Sequence, residues 1–365
     1  MVKSDVSDRP NEHELTARIR AGSRVFEDYR VLANILLGTP GREDEGLAVL
    51  EQALKLPLSD ILKANIIAEI AWFLYELGRL ERAISVAQRA LTQIAGQAET
   101  PEVLMVRGLS HATVANCQYS TDRASSDREA RLALEAFEQL LSEYPHFDEF
   151  AGACRYAARL YVLREEYTRA VTLCEQSMRA DSTERNRLYA LICLGNALRC
   201  QGRYGEAEGR LKEALALVEA DKRCLPMIHF ELGKVHRLAN RSEEAVVAFE
   251  QALTALRTSR ALREDRDSVV QIKWELGNAY YDMGRYDEAL PAFHEVLPEV
   301  LEIYPYLYWN TLISLGHCYL ATGQYAKARD CYEEIAASEQ ASKDEKAVAQ
   351  EALSGLPPIP PPRAH

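Results

Sequence analysis

Apolar and small residues recur through most of this chain at the spacing of one face of an α-helix. One such set is Leu191, Leu194, Gly195 and Leu198, whose spacing places all four residues on one side of a helix. No segment alternates apolar and polar residues over the length of a strand. The pattern therefore predicts an all-α protein.

Short turn-forming strings separate the helical segments at regular intervals. The string Gly-Arg-Tyr-Asp-Glu-Ala begins at Gly284, and related strings begin at Gly41, Gly78, Glu165, Gly202, Asn240 and Gly323. Successive strings are 37 to 44 residues apart, except for the step from 78 to 165, which holds one further unit. This periodicity predicts eight helix–turn–helix repeats.

Glycine occupies an unusual place within the predicted helices. The glycines that lie seven residues before a turn are Gly195, Gly233, Gly277 and Gly316. Glycine in a helix costs roughly 1 kcal/mol relative to alanine, so its repetition predicts that the two helices of each unit approach closely. Glycine and asparagine at the turns themselves suit the positive φ of a helix C-cap.

The sequence from residue 274 to residue 281, Trp-Glu-Leu-Gly-Asn-Ala-Tyr-Tyr, resembles the tetratricopeptide consensus. The match continues at Gly284, Tyr286, Ala289 and Phe293. The resemblance covers about residues 24–337 and implies a right-handed superhelical solenoid of about eight repeats. The units exceed the family's usual 34 residues, as in kinesin-light-chain-like arrays. The first unit departs from the consensus, with Asn34 where glycine is expected and Gly46 where alanine is usual.

The regions flanking the repeats predict a division of the chain into four parts. Residues 1–23 are a polar segment with a leading helix, and residues 24–337 are the repeat array. A capping helix is predicted within 338–355, followed by a proline-rich tail over 356–365.

Two irregular stretches carry separate expectations. Residues 119–127 are rich in turn formers, so we expect an exposed loop there, before a helix over 128–143. In the tail, Pro358, Pro361 and Arg363 fit a P-x-x-P-x-R motif for an SH3-like groove, and a disordered tail is the alternative.

Charge and composition narrow the classes of partner. The chain has 43 basic and 55 acidic residues and a net charge of −12, which disfavours nucleic acid and anionic membranes as partners. The first ten residues lack the apolar stretch of a secretory signal, and no apolar run is long enough to span a membrane. Eight cysteines without a C-x-x-C pair indicate free thiols. We therefore expect a cytoplasmic protein.

No recognisable catalytic or metal-binding motif occurs in the sequence. His294 and Glu295 lack the second histidine of the zinc-protease pattern, and the chain has no phosphate-binding loop, dinucleotide fingerprint or Gly-x-Ser-x-Gly string. His229 and His236 lie on the predicted inner face of a repeat, where packing explains them more simply than ligation. We therefore expect no enzymatic activity, metal or cofactor.

The resemblance further implies that the first helix of each repeat lines a concave groove, so that residues opposite its buried stripe contact a ligand. The early repeats supply Trp72, Tyr75 and Leu109, together with Met105 and Ala112. The middle repeats supply Arg155, Arg159, Asn196, Arg199, Lys234 and Arg237. The late repeats supply Trp274, Asn278, Tyr281 and His317. In the family, an asparagine at this position hydrogen-bonds the backbone of the bound peptide, a role implied for Asn196 and Asn278.

These features predict a scaffold or adaptor that holds an extended, acidic segment of another protein in its groove, because a basic strip is unexpected in an acidic chain. Pairing of the arginines with glutamates of neighbouring helices is the alternative interpretation of the strip. A structural repeat protein that assembles into homo-oligomers is the alternative function. A chaperone-type carboxylate clamp is incomplete, since Ile192 replaces its lysine and Glu231 its second asparagine.

Overall fold

The computed structural model of the chain describes residues 11–39, 41–119, 121–258 and 266–357. Within these ranges the regular structure is helical and contains no β-strand, which confirms the all-α prediction. The α-helices are α1 (Glu12–Arg20), α2 (Phe26–Leu37), α3 (Glu43–Ala53), α4 (Asp60–Glu76), α5 (Leu80–Gln93), α6 (Pro101–Gln118), α7 (Arg123–Glu143), α8 (Phe150–Leu163), α9 (Tyr167–Ala180), α10 (Glu184–Cys200), α11 (Tyr204–Ala216), α12 (Leu225–Leu238), α13 (Ser242–Thr258), α14 (Arg266–Asp282), α15 (Tyr286–Ile303), α16 (Pro305–Ala321), α17 (Tyr325–Ala337) and α18 (Lys343–Gly355). Two short 3-10 helices, Val218–Ala220 and Lys222–Cys224, connect α11 to α12.

Helices α2 to α17 form eight consecutive helix–turn–helix pairs in the described part of the chain, as the repeat spacing predicts. Helix α1 packs against α2, and α18 packs against α16 and α17.

The chain divides into two compact units. The first contains α1 to α11 and the 3-10 segment, and the second contains α14 to α18, while α12 and α13 each contribute residues to both. No described helix is both long enough and apolar enough to cross a membrane.

The turns adopt the left-handed backbone that their residue types predict. Positive φ angles of 70° to 87° occur at Gly41, Gly78, Gly202, Gly284 and Gly323. Two turns use residues other than glycine, Glu165 with φ 63° and Asn240 with φ 57°. Such backbone is unfavourable for a residue with a Cβ atom, and asparagine tolerates it better than glutamate.

The glycines seven residues before the turns allow the close helix approach that their repetition predicts. A Cβ atom placed on Gly277 would lie 2.8 Å from Cε1 of Phe293, and one on Gly195 would lie 2.6 Å from Cγ of Leu211. In the first repeat the glycine lies on the second helix instead. A Cβ atom on Gly46 would lie 2.6 Å from Cγ of Leu37, which explains why alanine is absent there.

The expectation of an exposed loop over residues 119–127 is wrong for most of that stretch, because α7 begins at Arg123. The side chain of Asp122 accepts a hydrogen bond from the amide of Ser125 at 3.0 Å and so caps the helix. The hydroxyl of Ser126 is buried and donates to the carbonyl of Ala115 at 2.8 Å. The turn-forming residues therefore act as a helix N-cap and its first turn. The motif residues Pro358, Pro361 and Arg363 lie outside the described residues.

Candidate functional site

Helices α4 and α8 bring together four of the predicted ligand contacts: Trp72 and Tyr75 on α4 with Arg155 and Arg159 on α8. The two helices face each other, and the residues that meet are 84 positions apart in the sequence at each contact. Asn65 donates to Glu149 at 3.3 Å, and the hydroxyl of Tyr75 accepts a hydrogen bond from Arg159 at 3.2 Å. The rings of Trp72 and Tyr156 meet edge to face, with their centres 4.6 Å apart.

Guanidinium groups lie against aromatic rings across these helices. The guanidinium carbon of Arg159 lies 4.9 Å from the centre of the Trp72 ring. That of Arg155 lies 5.5 Å from the centre of the Tyr156 ring and 5.1 Å from that of Tyr189 on α10. We call this set the cation–aromatic ladder; it consists of Tyr75, Arg159, Trp72, Tyr156, Arg155 and Tyr189. Its ring contacts fix the two arginines in place.

Neutral groups hold both arginines of the ladder. The Nε atom of Arg155 donates to Oδ1 of Asn186 at 2.9 Å, and Nη2 of Arg159 donates to the hydroxyl of Tyr75. Among the residues that the structure describes, no carboxylate lies within 4.0 Å of either guanidinium, whereas most other arginines have such a partner. Both side chains are half-buried. The ladder thus presents two positive charges that have no carboxylate in ion-pair contact within the described part of the chain.

A cleft of about 200 Å³ opens beside the ladder. Helices α2, α4, α8 and α10 line it with Arg30, Asn34, Glu69, Trp72, Phe73, Glu76, Arg155, Tyr156, Arg185 and Tyr189. Charged and aromatic side chains therefore dominate its wall.

At one end of the ladder, Asp221 shows how this surface holds a carboxylate. Its Oδ2 atom accepts hydrogen bonds from Tyr189 at 2.6 Å, Arg223 at 2.6 Å and Arg185 at 3.2 Å. Burial opposes ionisation of Asp221, but the contacts with Arg223 and Arg185 outweigh it and hold the pKa of the carboxyl below its usual range. The guanidinium of Arg223 also lies 3.6 Å from Glu76.

Glu69 is the opposite case, an acid on the cleft wall without a basic partner. In the described part of the chain, no cation lies within 4.0 Å of its carboxylate. Burial, together with the nearby charge of Glu149, raises the pKa of Glu69 to about 7, although Arg30 and Arg185 partly oppose the shift. Burial also raises the pKa of Glu149.

The predicted apolar section of the groove is not exposed. Leu109 is 1% exposed, and Met105 and Ala112 are also buried. The reason is that α4 and α8 both pack against α6, so that the face between them is covered. Leu109 is therefore a packing residue, and its assignment as a ligand contact is corrected.

The predicted polar residues of α10 contact each other. Nη2 of Arg199 donates to Oδ1 of Asn196 at 2.8 Å, within the same helix. Both side chains are half-buried. The carbonyl oxygen of Asn196 is therefore already engaged, while its amide nitrogen is the group suited to a peptide carbonyl.

In the second unit, acids neutralise the predicted cations. Nζ of Lys234 lies 2.5 Å from Oε1 of Glu231, and Arg237 contacts Glu275 at 2.9 Å and Asp282 at 3.2 Å. The contacts of Lys234 and Arg237 therefore fit the alternative interpretation of the basic strip, in which its cations pair with acids of the protein. The predicted strip is therefore not uniform, because Lys234 and Arg237 contact acids within 4.0 Å and, among the described residues, Arg155 and Arg159 do not.

The aromatic candidates of the second unit are joined by hydrogen bonds. Nε1 of Trp274 donates to Thr311 at 2.9 Å, and the amide of Asn278 donates to the carbonyl of Trp274 at 3.0 Å. The hydroxyl of Tyr281 and Nδ1 of His317 are 3.1 Å apart. Burial lowers the pKa of His317, which favours its neutral form.

Several residues of the cleft escape the sequence analysis. Glu69 lies one helical turn before Trp72, and Tyr189 lies two turns before Asn196, so extending the same helix faces finds both. Asp221 and Arg223 lie in a connection between repeats, and no periodic signal identifies them. Among the described residues, no three histidine, cysteine, aspartate or glutamate side chains converge as metal ligands do.

Comparison with known proteins identifies similar sequences and folds. Residues 186–258 and 268–338 match the tetratricopeptide repeat family model. The chain is 25% identical over 295 residues to Protein KINESIN LIGHT CHAIN-RELATED 1 of Arabidopsis thaliana, which covers 77% of this chain and 44% of that protein. The chain thus spans less than half the length of this relative.

Two solved structures are similar over most of the chain. Rap protein complexed with Competence and Sporulation Factor has a TM-score of 0.58 and 12% identity, covering 94% of this chain and 95% of that one. The Cut9–Hcn1 hetero-tetramer of the APC/C has a TM-score of 0.54 and 15% identity, covering 94% of this chain and 67% of that one. At these identities the similarity establishes the fold alone.

Proposed function

This chain is a tetratricopeptide-repeat protein, and from that premise we propose that it binds a segment of another polypeptide in the cleft beside the cation–aromatic ladder. Repeats of this family generally mediate protein–protein interactions as non-enzymatic scaffolds. Two structures with this fold are themselves complexes, one with Competence and Sporulation Factor and one of Cut9 with Hcn1.

The observation that carries the proposal is the absence, among the described residues, of a carboxylate beside Arg155 and Arg159. A half-buried guanidinium is stabilised most by an anion that accepts its N–H groups, and such charge-assisted bonds contribute about 1.5–3 kcal/mol each. Here Asn186, Tyr75 and the flanking rings hold the guanidinium groups without neutralising them. An acidic side chain or chain terminus of the ligand supplies the missing anion.

Fixed geometry favours this binding. The rings of Trp72, Tyr156 and Tyr189 restrict the two arginine side chains before a ligand arrives. Less side-chain entropy is then lost on binding than for a free surface arginine. Because Trp72 is 5% exposed, its main role in the proposal is to orient Arg159, while Tyr75 contacts the ligand.

The other predicted contacts take secondary roles. Asn196 and Arg199 extend the surface along α10. Lys234 and Arg237 contribute less, because their acidic partners compete with the ligand. In the second unit, Trp274, Asn278, Tyr281 and His317 are retained as an aromatic and polar ligand surface.

Affinity capture with matched variants tests the proposal. We compare the wild-type chain with Arg155→Gln/Arg159→Gln and with a control of equal charge change, Arg203→Gln/Arg210→Gln, whose arginines are exposed and paired within α11 and its preceding turn. The proposal expects partner proteins that the wild type and the control recover and the first variant does not. Equal recovery by both variants contradicts the role of the ladder. Recovery of the chain itself as the sole partner favours the self-assembling alternative.

A further inference from the structure

The cleft contains an unneutralised acid as well as an unneutralised base. Arg155 and Glu69 both line it, and in the described part of the chain neither has an oppositely charged group within 4.0 Å. The other charged side chains on the wall have such partners. Arg30 pairs with Glu27, Arg185 with Asp221, and Glu76 with Arg223.

The register of the two helices explains why Glu69 lacks a partner. One turn to either side, α4 and α8 are linked by the Asn65–Glu149 hydrogen bond and the Trp72–Tyr156 ring contact. By the same register of 84 residues, Glu69 lies level with Ala153 of α8, which is buried and has no polar group in its side chain. The residue before it is Gly152, where a Cβ atom would be in ordinary contact with Cε2 of Tyr156 at 3.7 Å and with Nη2 of Arg155 at 3.8 Å. Helix α8 therefore places no cation against Glu69 at this level, and the guanidinium of Arg155 lies beside Gly152 on the same cleft.

We propose that the ligand segment is dipolar, and that it places a cationic group, an ammonium or guanidinium, on Glu69 next to the carboxylate that it places on Arg155. This inference rests on the proposed function, because it assigns the second charge of the same ligand. An acidic residue adjacent to a basic residue in the bound polypeptide meets the requirement.

The electrostatics of the cleft favour such a segment over a purely acidic one. The charge of Glu149 disfavours ionisation of Glu69, so a further negative charge beside Glu69 is repelled. A ligand cation offsets that repulsion and supplies Glu69 with an oppositely charged partner, which no described residue supplies within 4.0 Å. The volume of about 200 Å³ is below the roughly 300–1,000 Å³ of drug-sized sites, which suits the ends of a few side chains.

Peptide selection followed by titration tests the inference. A phage-displayed library of random heptapeptides is selected on the full chain, and enriched peptides are synthesised with their basic residue or their acidic residue replaced by norleucine. Each peptide is titrated against the wild type, Glu69→Gln, Arg155→Gln and the control Glu135→Gln, which removes an exposed carboxylate of α7. Thermal melting of each variant checks its folding.

The expected result is an enriched acid–base pair whose affinity falls at least fivefold in Glu69→Gln and is unchanged in Glu135→Gln. The peptide that lacks the base should bind the wild type and Glu69→Gln equally. Enriched peptides without a base, or tighter binding to Glu69→Gln, overturn the dipolar ligand while leaving the proposed function intact. Absence of any enriched peptide, or equal binding to wild type and Arg155→Gln, instead overturns the proposed function and this inference with it.

Discussion

The guanidinium of Arg159 lies over the ring of Trp72 at 4.9 Å, joining two helices whose residues are more than 80 positions apart in the sequence. This contact stabilises the repeat packing and orients a cation of the ladder at the same time. Nε1 of Trp72 also donates to Glu76 at 2.8 Å, which fixes the indole ring. We therefore expect a change at Trp72 to alter both the stability of the chain and the proposed binding of a ligand.

Replacement of Trp72 by leucine or by phenylalanine tests whether an aromatic ring at this position stabilises the chain more than an aliphatic side chain does. We expect Trp72→Leu to lower the free energy of unfolding by about 2–4 kcal/mol, because it removes buried ring area and the contacts with Arg159 and Tyr156. Trp72→Phe retains a ring and should cost less. Urea unfolding monitored by circular dichroism measures both values. Equal losses for the two variants would contradict a role for the aromatic ring in holding Arg159.

The raised pKa of Glu69 predicts a pH dependence of stability. Glu69 has a pKa of about 7 in the folded chain against a usual value of 4.5, so between these pH values the folded state binds more protons than the unfolded state. Stability from this group is present below about pH 4.5 and is lost as the pH rises through 7. Glu69→Gln cannot lose a proton, so its unfolding free energy should exceed that of the wild type by about 1–3 kcal/mol at pH 8 and differ little at pH 5. Urea titrations at both pH values, with Glu135→Gln as control, measure the difference, and a constant offset would count against a raised pKa.

The turn at Glu165 stores unfavourable backbone energy. The φ angle of Glu165 is 63°, and four of the equivalent turns have glycine with φ between 70° and 75°. The side chain of Glu165 is exposed. Glu165→Gly should therefore stabilise the chain by about 0.5–1 kcal/mol. The reverse change at an equivalent turn, Gly202→Ala, should destabilise by a similar amount. Thermal melting measures both, and destabilisation by Glu165→Gly would show that its side chain has a stabilising role.

Two helical glycines should respond oppositely to alanine. A Cβ atom on Gly277 would meet the Phe293 ring at 2.8 to 3.2 Å, whereas one on Gly209 has no neighbour within 4 Å. Gly277→Ala should destabilise by about 1–3 kcal/mol through overpacking, and Gly209→Ala should stabilise by about 0.5–1 kcal/mol through helix propensity. Chemical denaturation distinguishes the two. A neutral Gly277→Ala would mean that the helix pair readily accommodates the extra methyl group.

Much of the repeat architecture is predictable because it depends on local chemistry. Glycine at a turn and glycine seven residues earlier each serve one helix pair, and the distances between them are fixed by the helix period. The error over residues 123–127 has a local cause as well. Aspartate and serine favour both turns and helix N-caps, and the sequence analysis chose the turn.

The cleft was predictable only in part, since it depends on contacts between repeats. The helical period predicts that Trp72, Tyr75, Arg155 and Arg159 lie on faces that can meet, and these four side chains are part of the ladder. It does not reveal the 84-residue register of α4 and α8, which buries Leu109 beneath them and leaves Glu69 opposite Ala153. Nor does it reveal that Asp221 reaches Arg185 and Tyr189 from a connecting segment.

The most direct test of the central claim is a calorimetric titration of the recovered or selected binding segment against Arg155→Gln/Arg159→Gln and Arg203→Gln/Arg210→Gln, each at low and physiological salt. The first variant loses two charge-assisted contacts, so we expect it to bind at least tenfold more weakly than the wild type and with a smaller salt dependence. The second variant keeps these contacts, so its affinity should be within twofold of that of the wild type. Equal affinities for the two double variants would contradict the claim that the unneutralised arginines of the ladder bind an anionic group of the ligand.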